Sequence, residues 1–313
     1  MDNRLQMISA RCCNCDDGSA SAIGSGEDFE YHTSADTFHA WRCDTCGLVF
    51  LNPRPSSDEF STIYPPDYHA FDFSESDFGL VYKIRSRLEA SRILRWCREL
   101  PDDAKIIDIG CGDGFHLELL RKHGRKGWNL EGIDLDPRAA QSAVDRGFKV
   151  SCGSIEQLDL PENTYDLAVM IMTIEHLAEP AAGLESVLRI LKPGGKLVIV
   201  TDNTDSLDFS LFKGRHWGGY HFPRHWNLFN RESLRALAER TGFQTVKIAT
   251  QVSPVNWVYS IHNRLVDRRS PRWLIDRFTL RSKASLGVFT LLDIVLRWFG
   301  RGALLSATIR KPS

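Results

Sequence analysis

Three groups of residues in this chain have types and spacings suited to chemistry. The first is Ile106-Ile107-Asp108-Ile109-Gly110-Cys111-Gly112-Asp113-Gly114, an apolar run entering a glycine-rich turn with an acid two residues before the first glycine. Glycine lets the backbone turn tightly and approach a ligand with no Cβ in the way, so this is a seat for a nucleotide-like molecule. A pyrophosphate cradle would space its glycines G-x-G-x-x-G, whereas here they fall at 110, 112 and 114 and position 115 is Phe. That spacing argues against a nicotinamide dinucleotide. The second group is Cys12-x2-Cys15 with Cys43-x2-Cys46, four thiolates suited to tetrahedral zinc, with Gly47 turning backbone N–H groups toward sulfur. The 27 residues between the pairs exceed the usual spacing of about 15 to 20, so one hairpin must be extended. Cys13 is the spare, and ordinary reduced thiols are the other reading. The third group is His216-Trp217-Gly218-Gly219-Tyr220-His221-Phe222-Pro223-Arg224-His225-Trp226. Histidine titrates near neutral pH and arginine forks onto carboxylate or phosphate, so this loop could deprotonate a substrate hydroxyl and bind an anion. Its other reading is a rigid aromatic loop whose histidines satisfy backbone groups.

The elements that must position these groups follow an α/β pattern. Strands are expected near 105–110, 129–134, 148–152, 165–171, 196–202, 243–250 and 303–310, with helices near 114–123, 137–146, 180–191 and 231–241. That alternation predicts a doubly wound, largely parallel sheet of seven strands covered on both faces. Asn230 ahead of Ser233 starts one helix, Thr241-Gly242 ends it, and Asp136 before Pro137 caps another. The domain reading is a zinc-ribbon-like module over 1–55, a connector and helical cap over 56–100, and a main domain over 101–313. Residues 52–79 are rich in Pro, Ser, Asp and aromatics and read as irregular, and 80–100 as an arginine-rich helix. A helical insertion at 251–302 precedes the last strand and carries nine Lys or Arg against three Asp. Its apolar stretch 286–299 is too short to span a bilayer. It reads either as a core-facing or homodimer helix, or as an interfacial helix making peripheral membrane contact through 284–300.

At 313 residues and a formal net charge of −1 the chain has no global basic field, so nucleic-acid binding is unsupported. Eight cysteines, five of them in the first fifty residues, do not form a secreted disulfide framework, and no charged segment followed by an apolar one opens the chain. A cytoplasmic location is expected.

Asp108-x-Gly110-x-Gly112-x-Gly114 resembles motif I of class I S-adenosylmethionine-dependent methyltransferases. Tyr165-Asp166-Leu167-Ala168-Val169-Met170, then Glu175-His176-Leu177, then Leu191-Lys192-Pro193-Gly194-Gly195-Lys196 follow in the order and spacing of that family. With Asp134 the match covers about 150 residues. The resemblance implies a Rossmann-like seven-stranded fold and S-adenosyl-L-methionine as methyl donor. Asp108, Gly110, Cys111, Gly112 and Gly114 would wrap its methionine end, helped by the backbone of Met170 and Ile171. Asp134, with Leu135 beside it, would accept the ribose hydroxyls, and Ser154 and Ile155 would meet the adenine. Trp217 with Pro223-Arg224-His225, the cysteine pairs and Cys46-Gly47-Leu48-Val49-Phe50-Leu51-Asn52-Pro53-Arg54-Pro55 resemble a bacterial subgroup of small-molecule and glycan type, which shows an acid where this chain has His221. His225 is the first candidate for a base, His176 the second and His221 a third, while Glu175 and His176 also read as structural. The expected acceptor is a small molecule, a glycan or a lipid-linked compound. Two other readings are a zinc-module ribosomal-RNA methyltransferase, disfavoured by the acidic first fifty residues, and a non-catalytic cofactor-binding scaffold.

Overall fold

The computed structural model describes residues 4–15, 18–65, 68 and 80–313. The N-terminal segment holds β1 (Met7–Ile8), β2 (Ala20–Gly26), β3 (Phe38–Cys43), β4 (Val49–Leu51) and β5 (Arg54–Pro55). It is followed, after part of the connector, by α1 (Leu80–Trp96). Residues 66–67 and 69–79 of the expected irregular stretch lie outside the described residues.

The main sheet uses β6 (Lys105–Ile109), β7 (Asn129–Asp134), β8 (Lys149–Cys152), β9 (Tyr165–Ile171), β10 (Leu191–Asp202), β12 (Gln244–Gln251) and β13 (Leu304–Arg310), in spatial order β12-β13-β10-β9-β6-β7-β8. The seven expected strands are therefore present in one sheet. Six of them point the same way, and β13 is antiparallel to both neighbours. The interior strands are near-continuous apolar runs because helices cover both faces: Ile106, Ile107, Leu167, Ala168, Val169, Val198 and Ile199 are essentially inaccessible. The covering helices include α2 (Phe115–His123), α3 (Pro137–Asp145), α4 (Pro180–Ile190) and α6 (Arg231–Arg240), with the short α5 (Leu207–Phe212) beyond β10. The Lys-Pro-Gly-Gly turn is absorbed into the start of β10 as an irregularity between Leu191 and Lys196.

Helix ends fall where the sequence places them. Asp136 accepts from the Arg138 N–H at 2.7 Å with Pro137 in the first turn. Asn230 and Ser233 cap each other reciprocally at 2.7 and 3.0 Å, worth about 1 kcal/mol. Gly242, at φ +91°, takes the left-handed position after α6 that a side chain would strain.

The N-terminal segment shares its core with the main sheet. Its four-stranded sheet runs β11-β4-β3-β2, and β11 (Asn227–Leu228) comes from just beyond the histidine loop. Cys12, Cys43, Leu48 and Phe50 sit in the same apolar cluster as Ile107, Ile133 and Phe229. Asn14 donates to the Ser233 carbonyl at 2.8 Å, and Arg240 to that of Cys13 at 2.6 Å, tying the first cysteine knuckle to α6. The insertion folds as α7 (Val255–Asp267), a short turn of helix at Arg272–Ile275, and α8 (Lys283–Trp298).

Candidate active site

Beyond β6 the chain reverses through Gly110, Gly112 and Gly114, at φ +75°, +55° and +82°. A Cβ at position 110 would stand 2.4 Å from Thr173 Oγ1, whereas one at 112 would meet nothing within 4 Å. Glycine at 110 thus permits close packing of strand ends, and the space over Gly112 is open to a ligand. Asp134, at the tip of β7, accepts from the Gly112 and Asp136 backbone N–H groups at 2.8 and 2.9 Å. This orients its carboxylate toward the turn while leaving lone pairs for hydroxyl donors.

Asp108 is 1% exposed, and neither of its oxygens has a hydrogen-bond partner among the described residues. His116 Nδ1 lies 3.8 Å from its Oδ2. Burial, reinforced by the charge of Asp134, pushes its carboxyl up to about 7. A buried carboxylate without partners, beside a glycine turn with open space, is the chemistry an ammonium group requires. The residues present therefore fit the amino-acid end of S-adenosylmethionine. Because a carboxylate must ionise to bind a cation, affinity for S-adenosylmethionine should rise as pH climbs through about 7, with proton release on binding below that point. Calorimetry at pH 6 and 8 in buffers of different ionisation enthalpy measures this. Asp108→Asn should weaken binding by one to two orders of magnitude, roughly the loss of one charge-assisted bond, and flatten the pH response.

Of the other residues expected around this ligand, Cys111, Ile155 and Met170 are buried, Ile171 and Ser154 are half-buried, and Leu135 is 48% exposed. Met170 and Ile155 lie in the core cluster, so the side chain of Met170 is committed to packing. The Ser154 carbonyl accepts from Gln157 and Leu158 in a turn after β8.

The histidines converge from separate elements. His176 ends the short helical turn after β9, and its ring centroid is 4.7 Å from that of His225, which is 5.0 Å from that of His221. His225 is buried, with Nδ1 2.8 Å from the Gly219 carbonyl and 3.2 Å from Asp202 Oδ2. Burial alone would lower its basicity, but Asp202, aided by Glu175, raises it above the ordinary imidazole value. Asp202, the last residue of β10, is fixed by Asn256 of α7 through a 2.6 Å bond to its other oxygen. His176 is driven well below its usual range by burial and by the charges of His225 and His221. Its Nδ1 lies 2.8 Å from Tyr64 Oη and 3.1 Å from the Arg224 carbonyl. His221 has both ring nitrogens engaged, with Glu30 Oε1 at 3.0 Å and Tyr68 Oη at 3.1 Å. It adopts φ +40°, and Met172, just past β9, φ +54°. Such non-glycine left-handed residues persist only where their surroundings over-determine them.

Arg224 is completely buried against the equally buried Asp28, at 3.0 Å, and donates to the Ile63 carbonyl at 2.6 Å. Despite burial, Arg224 and the hydroxyl and N–H of Thr33 hold the Asp28 carboxyl below the usual range. Asp28 and Glu30 lie in the loop between β2 and β3. The long spacing between the cysteine pairs thus has a structural use: the extended hairpin carries these two acids to the histidine loop. Glu175 is buried, accepts from Thr201 Oγ1 at 2.9 Å, and is pushed up to about 7 by burial in the face of His225's opposing charge. Ligand atoms of Glu175, His176 and His225 lie within 4.8 Å of one another, as do those of Cys12, Cys15, Cys43 and Cys46.

Sequence reasoning singled out His176, His221, His225 and Arg224 but missed Asp202, Tyr64, Tyr68, Asp28 and Glu30. Only Asp202 had a usable signal, as an acid at the carboxyl end of an expected strand. The tyrosines flank a proline pair in the stretch read as irregular, where no periodicity announces a destination. Trp217, Tyr220, Phe222 and Trp226 are buried and form one apolar cluster with Phe38 and Tyr64.

A family model described as a methyltransferase domain matches residues 82–248. Over 174 residues the chain is 28% identical to the ubiquinone biosynthesis O-methyltransferase of Cereibacter sphaeroides, covering 51% of this chain and 68% of that protein. It is 28% identical over 169 residues to the chloroplastic 2-methyl-6-phytyl-1,4-hydroquinone methyltransferase 1 of Oryza sativa, covering 49% of this chain and 48% of that one. The solved Haemonchus contortus phosphoethanolamine N-methyltransferase 2, in complex with S-adenosyl-L-methionine, is similar at a TM-score of 0.53 and 17% identity, over 94% of this chain and 69% of that chain. A family match over more than half of the sequence, lying on the glycine turn and sheet described above, places this chain in the methyltransferase-domain family, as a class I S-adenosylmethionine-dependent methyltransferase.

Proposed function

We propose that this methyltransferase O-methylates a hydroxyl of a small acceptor, a quinol, glycan or lipid-linked compound, with His225 as general base. The observation that carries the reading is the pairing of His225 with Asp202 at the carboxyl end of β10, the sheet edge at which ligands bind in open α/β folds. S-adenosylmethionine supplies a methyl group already activated by its sulfonium charge, so the protein's work is alignment, exclusion of water and removal of one proton. Asp108 and Asp134 would hold the donor, and Gly112 would leave it room. Asp202 orients the imidazole so that Nε2 faces away from the Nδ1 contacts and takes the hydroxyl proton, and stabilises the imidazolium that results. His176, kept neutral by its neighbours, and Tyr64 would position the acceptor beside it. The names of the quinol-type relatives above support a hydroxylated aromatic as the first acceptor to try.

The four cysteines support a structural zinc. Cys12 Sγ lies 3.5 Å from Cys46 Sγ, near the roughly 3.8 Å edge of a tetrahedron of sulfurs about 2.3 Å from zinc.

The acceptor class is tested by incubating the enzyme with donor and parallel panels of catechols, sugar nucleotides and primary amines, and following S-adenosylhomocysteine and product mass. O-methyl products from a hydroxylated panel are expected. Turnover confined to amines, which need no base of this kind, would sink the assignment.

A further inference from the structure

The insertion presents a surface that methyl transfer does not explain. Helix α8 is tied to the protein by buried Asp293, which accepts from the Ser253 and Ala303 backbone N–H groups at 2.8 and 3.2 Å, and by Phe289, which stacks on Trp257 of α7 at 5.6 Å and 4°, with Leu286 and Leu296 half-buried on the same side. The face turned to solvent is apolar as well. Ala284, Gly287, Val288, Leu291, Leu292, Val295, Trp298 and Phe299 are all exposed, five of them by more than 45% or at that value, with Trp298 at 72% and Phe299 at 74%. Positions 284, 288, 291, 295 and 298 follow helical spacing, so this is a continuous stripe about 21 Å long with no polar side chain in it. The helix thus faces the protein on one side only, through fully buried Asp293 and half-buried Leu286, Phe289 and Leu296, and leaves its other side to solvent. No helix among the described residues is long and apolar enough to cross a membrane.

Charge identifies what covers the stripe. All nine Lys and Arg of the insertion are exposed, and four bracket α8: Arg281 and Lys283 at its start, Arg297 and Arg301 at its end. Of the three acids, Asp293 is buried and Asp267 is engaged by Arg215 and His216 at 3.0 and 2.9 Å, which leaves exposed Asp276 against nine cations. A second copy packed stripe to stripe would bring these cations against each other, whereas an anionic lipid surface complements both the apolar stripe and its basic rim. Tryptophan and phenylalanine at one end of the stripe match the headgroup boundary of a bilayer.

We propose that α8 docks this enzyme on an anionic lipid bilayer, its stripe lying in the interface and the flanking Arg and Lys on lipid headgroups. The docking face is one helix removed from the site: α7, against which Phe289 stacks, supplies Asn256 to Asp202 and Ser260 to the Gly218 N–H at 2.8 Å. The inference does not rest on the acceptor or on His225 and is read without turnover.

Co-sedimentation of the whole protein with vesicles tests it. The wild type should pellet with phosphatidylcholine vesicles containing about one third phosphatidylglycerol, should do so weakly with pure phosphatidylcholine, and should be released in part by salt. Leu291→Glu with Trp298→Glu, at exposed positions, should weaken partition at least about tenfold at unchanged melting temperature. Arg281→Gln with Lys283→Gln should weaken it severalfold on anionic vesicles alone. The proposal is overturned if the wild type stays in the supernatant with anionic vesicles, if both double variants bind like wild type, or if light scattering shows a dimer that the Leu291/Trp298 variant dissolves and no vesicle binding.

Discussion

Replacing His225 by Asn should lower turnover by roughly 10² to 10⁴ while leaving S-adenosylmethionine affinity within a few fold. Asparagine places an N–H donor near the position of Nδ1, so the Gly219 carbonyl and Asp202 keep a partner and the buried acid is not left uncompensated. What is lost is the second ring nitrogen, the only part that could take a proton from the acceptor. The pH profile gives the sign. With its imidazole raised above the ordinary value by Asp202 and Glu175, His225 is more often protonated at neutral pH than a free histidine. Activity should therefore climb as pH rises through that elevated value, as a base must be neutral to act. Asp202→Asn removes the main source of the elevation and should move this limb to lower pH while reducing turnover. Stopped turnover assays from pH 5.5 to 9 with all three proteins measure it. Wild-type turnover in His225→Asn, or a limb that ignores Asp202→Asn, removes His225 from the chemistry.

Loss of metal from the cysteine cluster should be the most damaging single change to stability. Structural zinc contributes apparent free energies of about 10 to 16 kcal/mol in small zinc-binding peptides, and here the cluster lies in the same apolar core as β6 and β7. Elemental analysis should find one zinc per chain, and Cys43→Ser should lack it. The variant should melt at a clearly lower temperature and lose turnover, since the hairpin joining the two knuckles carries Asp28 to Arg224 and Glu30 to His221. The damage should appear in turnover and acceptor affinity more than in S-adenosylmethionine binding, because Asp108 and Asp134 stand on strands that the hairpin does not supply. A metal-free protein with wild-type melting and turnover would show that the thiols need no ion.

Much of the donor side was legible because it is local. Asp108, the three glycines and Asp134 sit at the ends of two adjacent parallel strands, so strand periodicity plus the backbone demands of a tight turn locate them. The caps at Asp136 and Asn230 were readable for the same reason, as each acts within three residues of itself. The acceptor side was only half legible. The density of histidine and aromatic residues at 216–226 marked a candidate loop, yet its partners Tyr68, Asp28, Glu30 and Asp202 come from 23 to 196 residues away in the chain. The apolar run 286–299 could be recognised as a helix, but its composition is the same whether the apolar face turns inward or outward.

The sequence by itself determined the α/β sheet, the glycine turn, the two cysteine knuckles and the family, because each is set by periodicity or by spacing over a few residues. Tertiary structure alone decided that the hairpin between the knuckles reaches the histidine loop, that Asp202 rather than a nearer acid meets His225, and that α8 turns its apolar stripe to solvent. Those outcomes depend on how layers pack and which buried charges find partners, and such long-range pairings leave no mark on local pattern.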